Sequence, residues 1–598
     1  MDRTAQLSAR PAQPGTACGP PLSGTSLHRR AARVLDANWT GRSTVPSRSL
    51  YPHQWSWDSA FIAIGLRHVS PLRAQTELET LLAAQWADGR VPHIVFNPSV
   101  PLGAYFPGPD FWRSGTAGRG AGAPRTVQTS GIVQPPVHAL AAWLVHQADP
   151  GLSRARGFLA RVHPRLAAWH RYLLHRRDLG GGGLVSVVHP WEQGMDNSPC
   201  WDAPLARVTP APAHSFRRAD LDHGAAAGRP TDLDYGRYVR LAADYRDAGY
   251  ADEPGGAAAS AGGTAASAGV ADRTAAGADG TAASAGVADG TAAGADGTAA
   301  GTALPDGTAA GRTAAVAADG TADPAAAGGA AGTAVAGRVT AGRAAAGTVA
   351  AGRTSAGGGG GPRTCAFAVE DPAFNALLIA SEHALARIAE ELGASGTARR
   401  ARAARLTTAL VERLWEPAAG IFLCRDLHGE GLIGERGVGG LVPLLLPDLP
   451  PDIAAALVRT VQGPHFSVGD RALLVPSYDL LGEAFDPHRY WRGPAWFNTA
   501  WLLERGLRTH GERERADALR EAVLDLAGGT GFAEYVDPCT GEACGAAGFS
   551  WTAALALDLL HRRPAPRERQ TLDKSPQKGV SRTGTGTFGR SDEGGDRG

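Results

Sequence analysis

Apolar residues recur at helical spacing along most of this chain, and each such stretch is bounded by loop signals. An amphipathic segment at 28–39 begins the series, and the patterns predict roughly ten to twelve helices in an all-α fold. The further helical stretches lie at 60–66, 71–86, 137–147, 152–176, 235–248, 371–392, 395–415, 451–462, 512–527 and 550–561, with one more after the aromatic stretch 490–501.

Tryptophan, tyrosine and acidic residues cluster in the loops that precede several of these helices. The segment His189-Pro-Trp-Glu-Gln-Gly-Met-Asp-Asn-Ser-Pro199 is the densest example, and its prolines and glycine exclude a regular helix or strand. A second acidic, aromatic loop surrounds Glu534. If the helices pair into a closed ring, the loops at one end converge on one pocket, so the rhythm predicts an (α/α) toroid.

The stretch 251–362 interrupts the helical pattern with a composition of almost only Ala, Gly, Thr and Ser and no aromatic residue. Units of Ala-Asp-Gly-Thr-Ala-Ala begin at Ala288 and Ala295. Such a segment has too little apolar surface to offset the conformational entropy lost on ordering. We expect a disordered insertion, either an inert expansion or a partner-binding segment. Residues 1–27 and 564–598 are expected to be disordered termini for the same reason.

Charge and cysteine content exclude several classes of function. The chain has 59 Lys+Arg and 58 Asp+Glu, a net charge of +1, which argues against a nucleic-acid or anionic-membrane binder. The six cysteines are scattered and lack zinc-ligand spacing, so reduced thiols are expected rather than a metal site. The first residues are polar and no long apolar run follows, which predicts a cytoplasmic protein.

Two carboxylates in aromatic loops suit glycoside hydrolysis. The reaction needs one protonated carboxyl for the leaving oxygen and one carboxylate for the opposite face, about 6.5–9.5 Å apart in inverting enzymes. Asp196 and Glu534 are the candidates, and aromatic rings beside them could stack on the C–H faces of a sugar. Taken alone, each acid would equally suit a turn or a helix cap.

Four motifs together resemble glycoside hydrolase family 63, in its bacterial glucosylglycerate/mannosylglycerate hydrolase branch. They are Tyr51-x-x-Gln-Trp-x-Trp-Asp58, the His189–Pro199 segment, Tyr490-Trp-Arg-Gly-Pro-x-Trp496 and Phe532-x-Glu-Tyr-x-x-Pro-x-Thr-Gly541. The resemblance implies an (α/α)6 barrel formed by 28–250 and 363–563, an inverting mechanism, and neither metal nor cofactor. Asp196 would be the general acid, its pKa raised by burial or by Glu192, and Glu534 the general base.

The same resemblance implies the substrate contacts. Arg229, Tyr235, Tyr105 and Tyr490 would hold the glycerate or other aglycone, with Arg229 suited to a carboxylate. The sugar would be surrounded by Tyr51, Trp55, Asp58, Gln134, Trp191, Trp491 and Trp496.

Glucosylglycerate is the first substrate expected. The alternatives are mannosylglycerate, glucosylglycerol, a trehalose-like substrate or another α-glucoside, and a catalytically silent carbohydrate-binding protein. The expected binding partner is thus a small glycoside. The sequence does not decide whether the chain forms a homo-oligomer.

Overall fold

The computed structural model describes residues 24–223, 228–252, 366–429 and 431–562. These residues are mainly helical, which confirms the prediction of a helix-rich chain. The helices are α1 Gly24–Ala37, α2 Ser56–Leu66, α3 Pro71–Ala83, α4 Pro109–Trp112, α5 Ser114–Ala117, α6 His138–Ala148, α7 Pro150–Ala155, α8 Phe158–Arg176, α9 Pro190–Gln193, α10 Asp202–Ala206, α11 Asp232–Asp247, α12 Pro372–Glu391, α13 Thr397–Leu414, α14 Pro451–Gln462, α15 Phe497–Thr509, α16 Arg513–Gly529 and α17 Ser550–His561. Five 3-10 helices span Leu102–Ala104, Pro199–Trp201, Ala213–Ser215, Ala219–His223 and Val438–Leu445.

Six inner elements form a closed ring: α2, α6, α12, the 3-10 helix Val438–Leu445, α15 and α17. Each contacts the next in that order, and α17 returns to α2. Every residue of α2 is buried, as expected for a helix that is apolar around its circumference. Because the last inner helix, α17, contacts the first, α2, the inner elements surround one central space.

Amphipathic helices form an outer layer around this ring. Each outer helix contacts the ring. Helix α3 contacts α2 and α6, α8 contacts α6 and α12, and α16 contacts α15 and α17. Helix α13 contacts α12, α14 contacts the 3-10 helix, and α1 contacts α17. In α14, Ile453, Leu457 and Val461 are buried at helical spacing, while Asp452 and Arg459 lie on the other side. The described helices therefore form a two-layered toroid.

Short antiparallel strands connect the loops at one end of the toroid, a feature absent from the sequence prediction. They pair as β1 with β2, β3 with β4, β4 with β7, β7 with β8, β5 with β6, and β10 with both β9 and β11. Three of them, β1, β4 and β9, directly precede inner helices, so they fix where those helices begin. The strands are β1 Gln54–Trp55, β2 Ile94–Val95, β3 Ser186–Val187, β4 Val369–Glu370, β5 Trp415–Glu416, β6 Ile421–Phe422, β7 Arg425–Asp426, β8 Gly431–Leu432, β9 Ala495–Trp496, β10 Tyr535–Val536 and β11 Ala543–Cys544.

Three predicted boundaries are corrected. The helix expected at 152–176 is interrupted at Gly157, whose φ of +62° lies in the left-handed region, so α7 and α8 are separate. Helix α1 begins at Gly24 rather than at residue 28, because Leu27 packs into the core. The predicted insertion also begins too early, because Asp252 is buried and pairs with Arg177 at 2.9 Å. The rest of the expected disordered segments, at 1–23, 253–362 and 564–598, lies outside the described residues.

No helix in the described part of the chain combines the length and the apolar character needed to cross a lipid bilayer. Cytoplasmic location and oligomeric state stay predictions.

Candidate active site

A cavity opens at the end of the toroid where the inner helices begin. Trp55 and Asp58 flank the start of α2, Gln134 precedes α6, and Phe549 precedes α17. Helix N-termini thus face the cavity from several sides. Eleven of the residues predicted from the sequence line it: Tyr51, Trp55, Asp58, Tyr105, Gln134, Trp191, Asp196, Arg229, Tyr235, Tyr490 and Glu534.

Glu534 is held rigidly in the wall of this cavity. Its Oε1 accepts hydrogen bonds from the hydroxyls of Tyr51 at 3.1 Å and Tyr490 at 3.3 Å. Its Oε2 accepts one from the backbone N–H of Ala546 at 3.0 Å. A side chain at Gly545 would collide with that carboxylate, since a Cβ there would lie 2.6 Å from Oε2. Burial raises the pKa of Glu534, and Arg229 and these hydrogen bonds oppose the rise.

Asp196 lies in the loop between α9 and the 3-10 helix Pro199–Trp201. Gly194 permits the turn before it, with a φ of +83° and no room for a Cβ beside Trp57. The Trp201 indole donates to the carbonyl of Met195 at 2.8 Å, and the Tyr238 hydroxyl donates to that of Asp196. These contacts fix the backbone and leave the carboxyl directed into the cavity.

The two carboxyl groups have different surroundings. Burial raises the pKa of Asp196 to about 7; Asp220 and Glu534 add to the rise, and Arg229 opposes it. The carboxylate of Glu534, in contrast, accepts three hydrogen bonds, which favour its ionised form. The site thus combines a carboxyl whose pKa burial raises to about 7 with one in which three hydrogen bonds oppose the rise that burial causes.

Glu192 does not raise the pKa of Asp196 as one alternative supposed. Its carboxylate forms a forked ion pair with Arg177, at 2.7 and 2.8 Å, and accepts from the backbone N–H of Val188 at 2.8 Å. It is fully buried and absent from the cavity wall. The pKa of Asp196 is raised by its burial and by the nearby carboxyl groups of Asp220 and Glu534.

Arg229 is the cation that faces both carboxyl groups. Its Nη1 lies 3.4 Å from the Tyr51 hydroxyl, and its guanidinium lies over the Tyr490 ring at 4.9 Å from the centroid. Asp58 lies across the cavity in the first turn of α2, and burial raises its pKa well above the usual value. Gln134 accepts from the N–H of Trp57 at 3.2 Å, which orients its amide.

Trp491 and Trp496 require a correction, because they do not line the cavity. Their rings stack on each other with centroids 3.9 Å apart, and Trp496 also stacks on Tyr535 at 4.6 Å. Tyr490 packs edge-on against Trp496 at 5.0 Å. Both tryptophans are buried, so they support Tyr490 from behind instead of surrounding a sugar.

Several cavity residues were missed by the sequence reasoning. Asp220 is the most consequential, since it adds a further carboxyl beside Asp196, ion-paired with Arg218 at 2.8 Å. It comes from a polar segment without aromatic neighbours or periodicity, so no sequence signal distinguished it. The others include His93, Phe106, Trp57, Phe549 and Trp551. Trp57 and Trp551 belong to helices whose aromatic residues are typical of a core.

Comparison with known proteins identifies the family. The family model described as the mannosylglycerate hydrolase MGH1-like glycoside hydrolase domain matches residues 51–304 and 306–552. The chain belongs to this family. The MGH1-like domain is a glycoside hydrolase domain, so the chain is a glycoside hydrolase of the family 63 type that its motifs resembled.

Relatives of this MGH1-like chain align along nearly its whole length. Mannosylglycerate hydrolase of Rubrobacter radiotolerans is 34% identical over 89% of this chain and 96% of its own length. Glucosylglycerate hydrolase of Mycolicibacterium hassiacum is 32% identical over 90% and 99%. The crystal structure of GH63 mannosylglycerate hydrolase from Thermus thermophilus superposes with a TM-score of 0.64 at 31% identity, covering 89% of this chain and 99% of that one.

The described residues of this MGH1-like chain contain no group of three or more His, Cys, Asp or Glu arranged to hold a metal ion. The expectation that catalysis needs neither metal nor cofactor stays a prediction.

Proposed function

We propose that this chain is an inverting glycosidase that hydrolyses an α-linked glycosylglycerate to sugar and glycerate, with glucosylglycerate as the first substrate. One observation carries the proposal. Asp196, with a pKa of about 7, and Glu534, hydrogen-bonded as a carboxylate, line one aromatic cavity. We also propose that the toroid is an (α/α)6 barrel, supported by six inner elements that each pack against an outer helix.

In the proposed reaction Asp196 donates its proton to the glycosidic oxygen, and the bond between that oxygen and the anomeric carbon breaks. Glu534 takes a proton from a water molecule, which attacks the anomeric carbon from the opposite face. The Tyr51 and Tyr490 hydroxyls orient the Glu534 carboxylate for this step. Because the water attacks the face opposite to the departing glycerate, the configuration at the anomeric carbon inverts. An α-linked sugar is therefore released first as the β-anomer.

The cavity residues divide into two groups in this proposal. Trp55, Trp191, Gln134, Asp58 and Tyr51 surround the sugar, where rings stack on C–H faces and polar groups bind hydroxyls. Arg229 binds the glycerate carboxylate through its guanidinium, assisted by Tyr105, Tyr235 and Tyr490. Asp58, whose pKa burial raises, can donate a hydrogen bond from a protonated carboxyl to a sugar oxygen.

The substrate class has support from two sides. Arg229 supplies a positive charge in a cavity that otherwise carries Asp58, Asp196, Asp220 and Glu534, which suits an acidic aglycone. The relatives are named for mannosylglycerate and glucosylglycerate, and the Thermus thermophilus enzyme has been solved with D-glycerate and with glucose. The identities of 34% and 32% favour neither sugar, so both belong in the test.

The test is proton NMR of the purified chain with glucosylglycerate, mannosylglycerate, glucosylglycerol and trehalose. We expect hydrolysis of a glycosylglycerate with the β-sugar signal appearing before mutarotation. Asp196→Asn and Glu534→Gln should each reduce turnover by about 10²–10⁴-fold, the usual contribution of a general acid or base. The matched control is Glu542→Gln, a carboxyl outside the cavity wall that should keep full turnover.

Three results would overturn the proposal: first release of the α-sugar, cleavage of glucosylglycerol or trehalose in preference to both glycerates, or full activity of either carboxyl variant. A wild-type chain that binds a glycosylglycerate without turnover would support the alternative of a silent carbohydrate-binding protein.

A further inference from the structure

A second cavity lies at the other end of the toroid, where the inner elements finish. Its volume is about 460 Å³. Its walls come from the first turn of α6, the α12 residues from Ala380 to Arg387, the end of the 3-10 helix Val438–Leu445 with Pro447 after it, the last turns of α15 and the residue after α17. They are Leu140, Ala380, His383, Ala384, Arg387, Leu445, Pro447, Arg505, Arg508, Thr509 and Arg562.

The charged residues of this wall are all basic. Arg387, Arg505, Arg508 and Arg562 line the cavity together with His383, and no carboxylate does. The guanidiniums of Arg505 and Arg562 lie over the same Trp501 ring, at 4.9 and 5.5 Å from its centroid. Like charges gathered on one wall create a positive potential.

Neighbouring carboxylates neutralise only part of this charge. Glu504 and Asp517 pair with Arg508, while Glu504 and Asp558 pair with Arg562. Asp558 also pairs with Arg67. Three carboxylates thus serve three arginines: Arg67, Arg508 and Arg562. Asp448 approaches only His383, at 3.4 Å, and is half exposed.

Arg505 and Arg387 are the two arginines of this wall that have no carboxylate partner among the described residues. Within the described residues, neither guanidinium forms an ion pair or a hydrogen bond, and Nε of Arg505 is buried without a partner. Burial and the neighbouring Arg562 lower the pKa of Arg505 to about 10, so it is still charged at neutral pH. Arg387 is exposed to solvent, so the cost of burial falls on Arg505 alone. A largely buried cation without a partner is costly unless a ligand supplies the missing acceptors.

Helix ends explain only some of the arginines. Cations near helix C-termini interact favourably with the unpaired carbonyls there, which accounts for Arg508 in the last turn of α15 and Arg562 after α17. Arg387 and Arg505 instead lie about a turn inside their helices. Their placement over an open cavity is therefore unexplained by the helix dipole.

We propose that this cavity binds a phosphomonoester, with its dianionic head at Arg505 and Arg387 and its carbon body against Leu140, Ala380, Leu445 and Pro447. Two unpaired guanidiniums match a dianion, and their forked N–H groups suit phosphate oxygens. The cavity volume of about 460 Å³ leaves room for a carbon body beside the phosphate. The site is separate from the catalytic cavity and independent of the proposed reaction.

The test is calorimetric titration of the full chain with glycerol 2-phosphate, at an ionic strength held constant with KCl. We expect one saturable site, weakened about tenfold or more in Arg505→Met, because charge-assisted hydrogen bonds are among the stronger ones. Arg387→Gln should also weaken it. Arg240→Met removes an exposed arginine that pairs with Asp244 and lines neither cavity, so it should leave affinity unchanged. Hydrolysis should be unchanged in all three variants.

Arg229 offers a competing anion site in the catalytic cavity, so Arg229→Met is included. The proposal predicts that this variant keeps the calorimetric site. Loss of binding in Arg229→Met with retention in Arg505→Met would overturn the proposal, as would equal weakening by Arg240→Met or no saturable binding below about 10 mM. If circular dichroism shows Arg505→Met to be unfolded, Arg387→Gln decides by the same criterion.

Discussion

Asp196 and Glu534 illustrate how one cavity gives two identical functional groups different chemistry. Desolvation acts on both, but Glu534 accepts hydrogen bonds from Tyr51, Tyr490 and Ala546 that favour its anion. Asp196 has no such set and has Asp220 as a like-charged neighbour. In the proposed mechanism this difference lets Asp196 donate a proton and Glu534 accept one.

This difference predicts the pH dependence of hydrolysis. In the proposed mechanism Asp196 must be protonated to act, so kcat/KM should fall about tenfold per pH unit above its pKa of about 7. In the same mechanism Glu534 must be ionised, so activity should also fall at acid pH. Because burial raises the pKa of Glu534, this fall should begin at a higher pH than an ordinary glutamate would give. Initial rates on glucosylglycerate from about pH 4 to about pH 9 would measure both limbs.

Asp220→Asn provides the matched variant for the alkaline limb. The negative charge of Asp220 raises the pKa of Asp196, so its removal should lower that pKa and move the alkaline limb to lower pH. The acid limb should move little. An alkaline limb that stays in place or moves upward would contradict the assignment of Asp196 as the acid.

At the residue scale, the sequence identified the loops that line the cavity more accurately than it identified the side chains that face it. Asp196, Glu534 and most of the aromatic residues were predicted because acids, tryptophans and turn residues coincide in a few short segments. Trp491 and Trp496 belong to the same kind of segment but stack inward on Tyr535. Composition cannot distinguish the two faces of an irregular loop, and the same limit hid Asp220.

At the scale of elements, a buried ionic network fixes the loop that carries Asp196. Arg177 follows α8 and pairs with Glu192 of α9 and with Asp252 at 2.9 Å. Arg90 joins the network through Asp88 at 2.7 Å and Asp252 at 3.3 Å. Because a buried charge without its partner costs several kcal/mol, about 3–5 when one member is removed, this network holds the loop against the outer helices.

Close backbone contact between α2 and α17 is the second element-scale feature, and it predicts the effect of one methyl group. A Cβ on Gly65 would lie 2.2 Å from the carbonyl oxygen of Ala554, which is backbone and cannot rotate away. Gly65→Ala should therefore lower the free energy of unfolding by about 1–3 kcal/mol, despite the better helix propensity of alanine.

Urea unfolding followed by circular dichroism would measure this change. Gly115→Ala is the control, because the nearest atom to its new Cβ is Nε2 of Gln128 at 3.5 Å. The control should be neutral or slightly stabilising. Equal stability of Gly65→Ala and the parent chain would mean that the two helices separate at no cost.

Helical periodicity predicted most elements but not their interruptions. The division at Gly157 depends on one left-handed residue inside an apolar pattern that is otherwise continuous. The inner element Val438–Leu445 is a 3-10 helix containing Pro443, and its Gly440 lies so close to the carbonyl of Phe422 that a Cβ would be 2.1 Å away. Such tertiary contacts have no signature in the local sequence.

At the scale of the molecule, ring closure brings distant segments together. The first and last inner helices meet where Arg67, after α2, pairs with Asp558 of α17. Closure also places Tyr51 and Glu534 within hydrogen-bonding distance although they lie near opposite ends of the chain. The two cavities follow from the same geometry, because a ring of parallel inner helices gathers N-termini at one end and C-termini at the other.

The long stretch 251–362 can be tested against this ring. On its N-terminal side Asp252 is buried and paired with Arg177, whose carbonyl accepts from the N–H of Ser186 at 2.7 Å. On its C-terminal side Glu370 of β4 pairs in register with the same Ser186. The chain thus leaves and re-enters the toroid beside one strand, β3, so a short connection would suffice.

The test replaces residues 254–364 by about 12 Gly/Ser residues, which have a root-mean-square span of about 17–21 Å. We expect the shortened chain to keep kcat/KM for glucosylglycerate within about twofold of the parent. Asp252 and Phe367 are kept, since both are buried. A second variant that also carries Asp252→Asn should lose stability, because Arg90 and Arg177 would each lose a charged partner. Folded protein without activity after the first replacement would instead assign this stretch a role in the catalytic cavity.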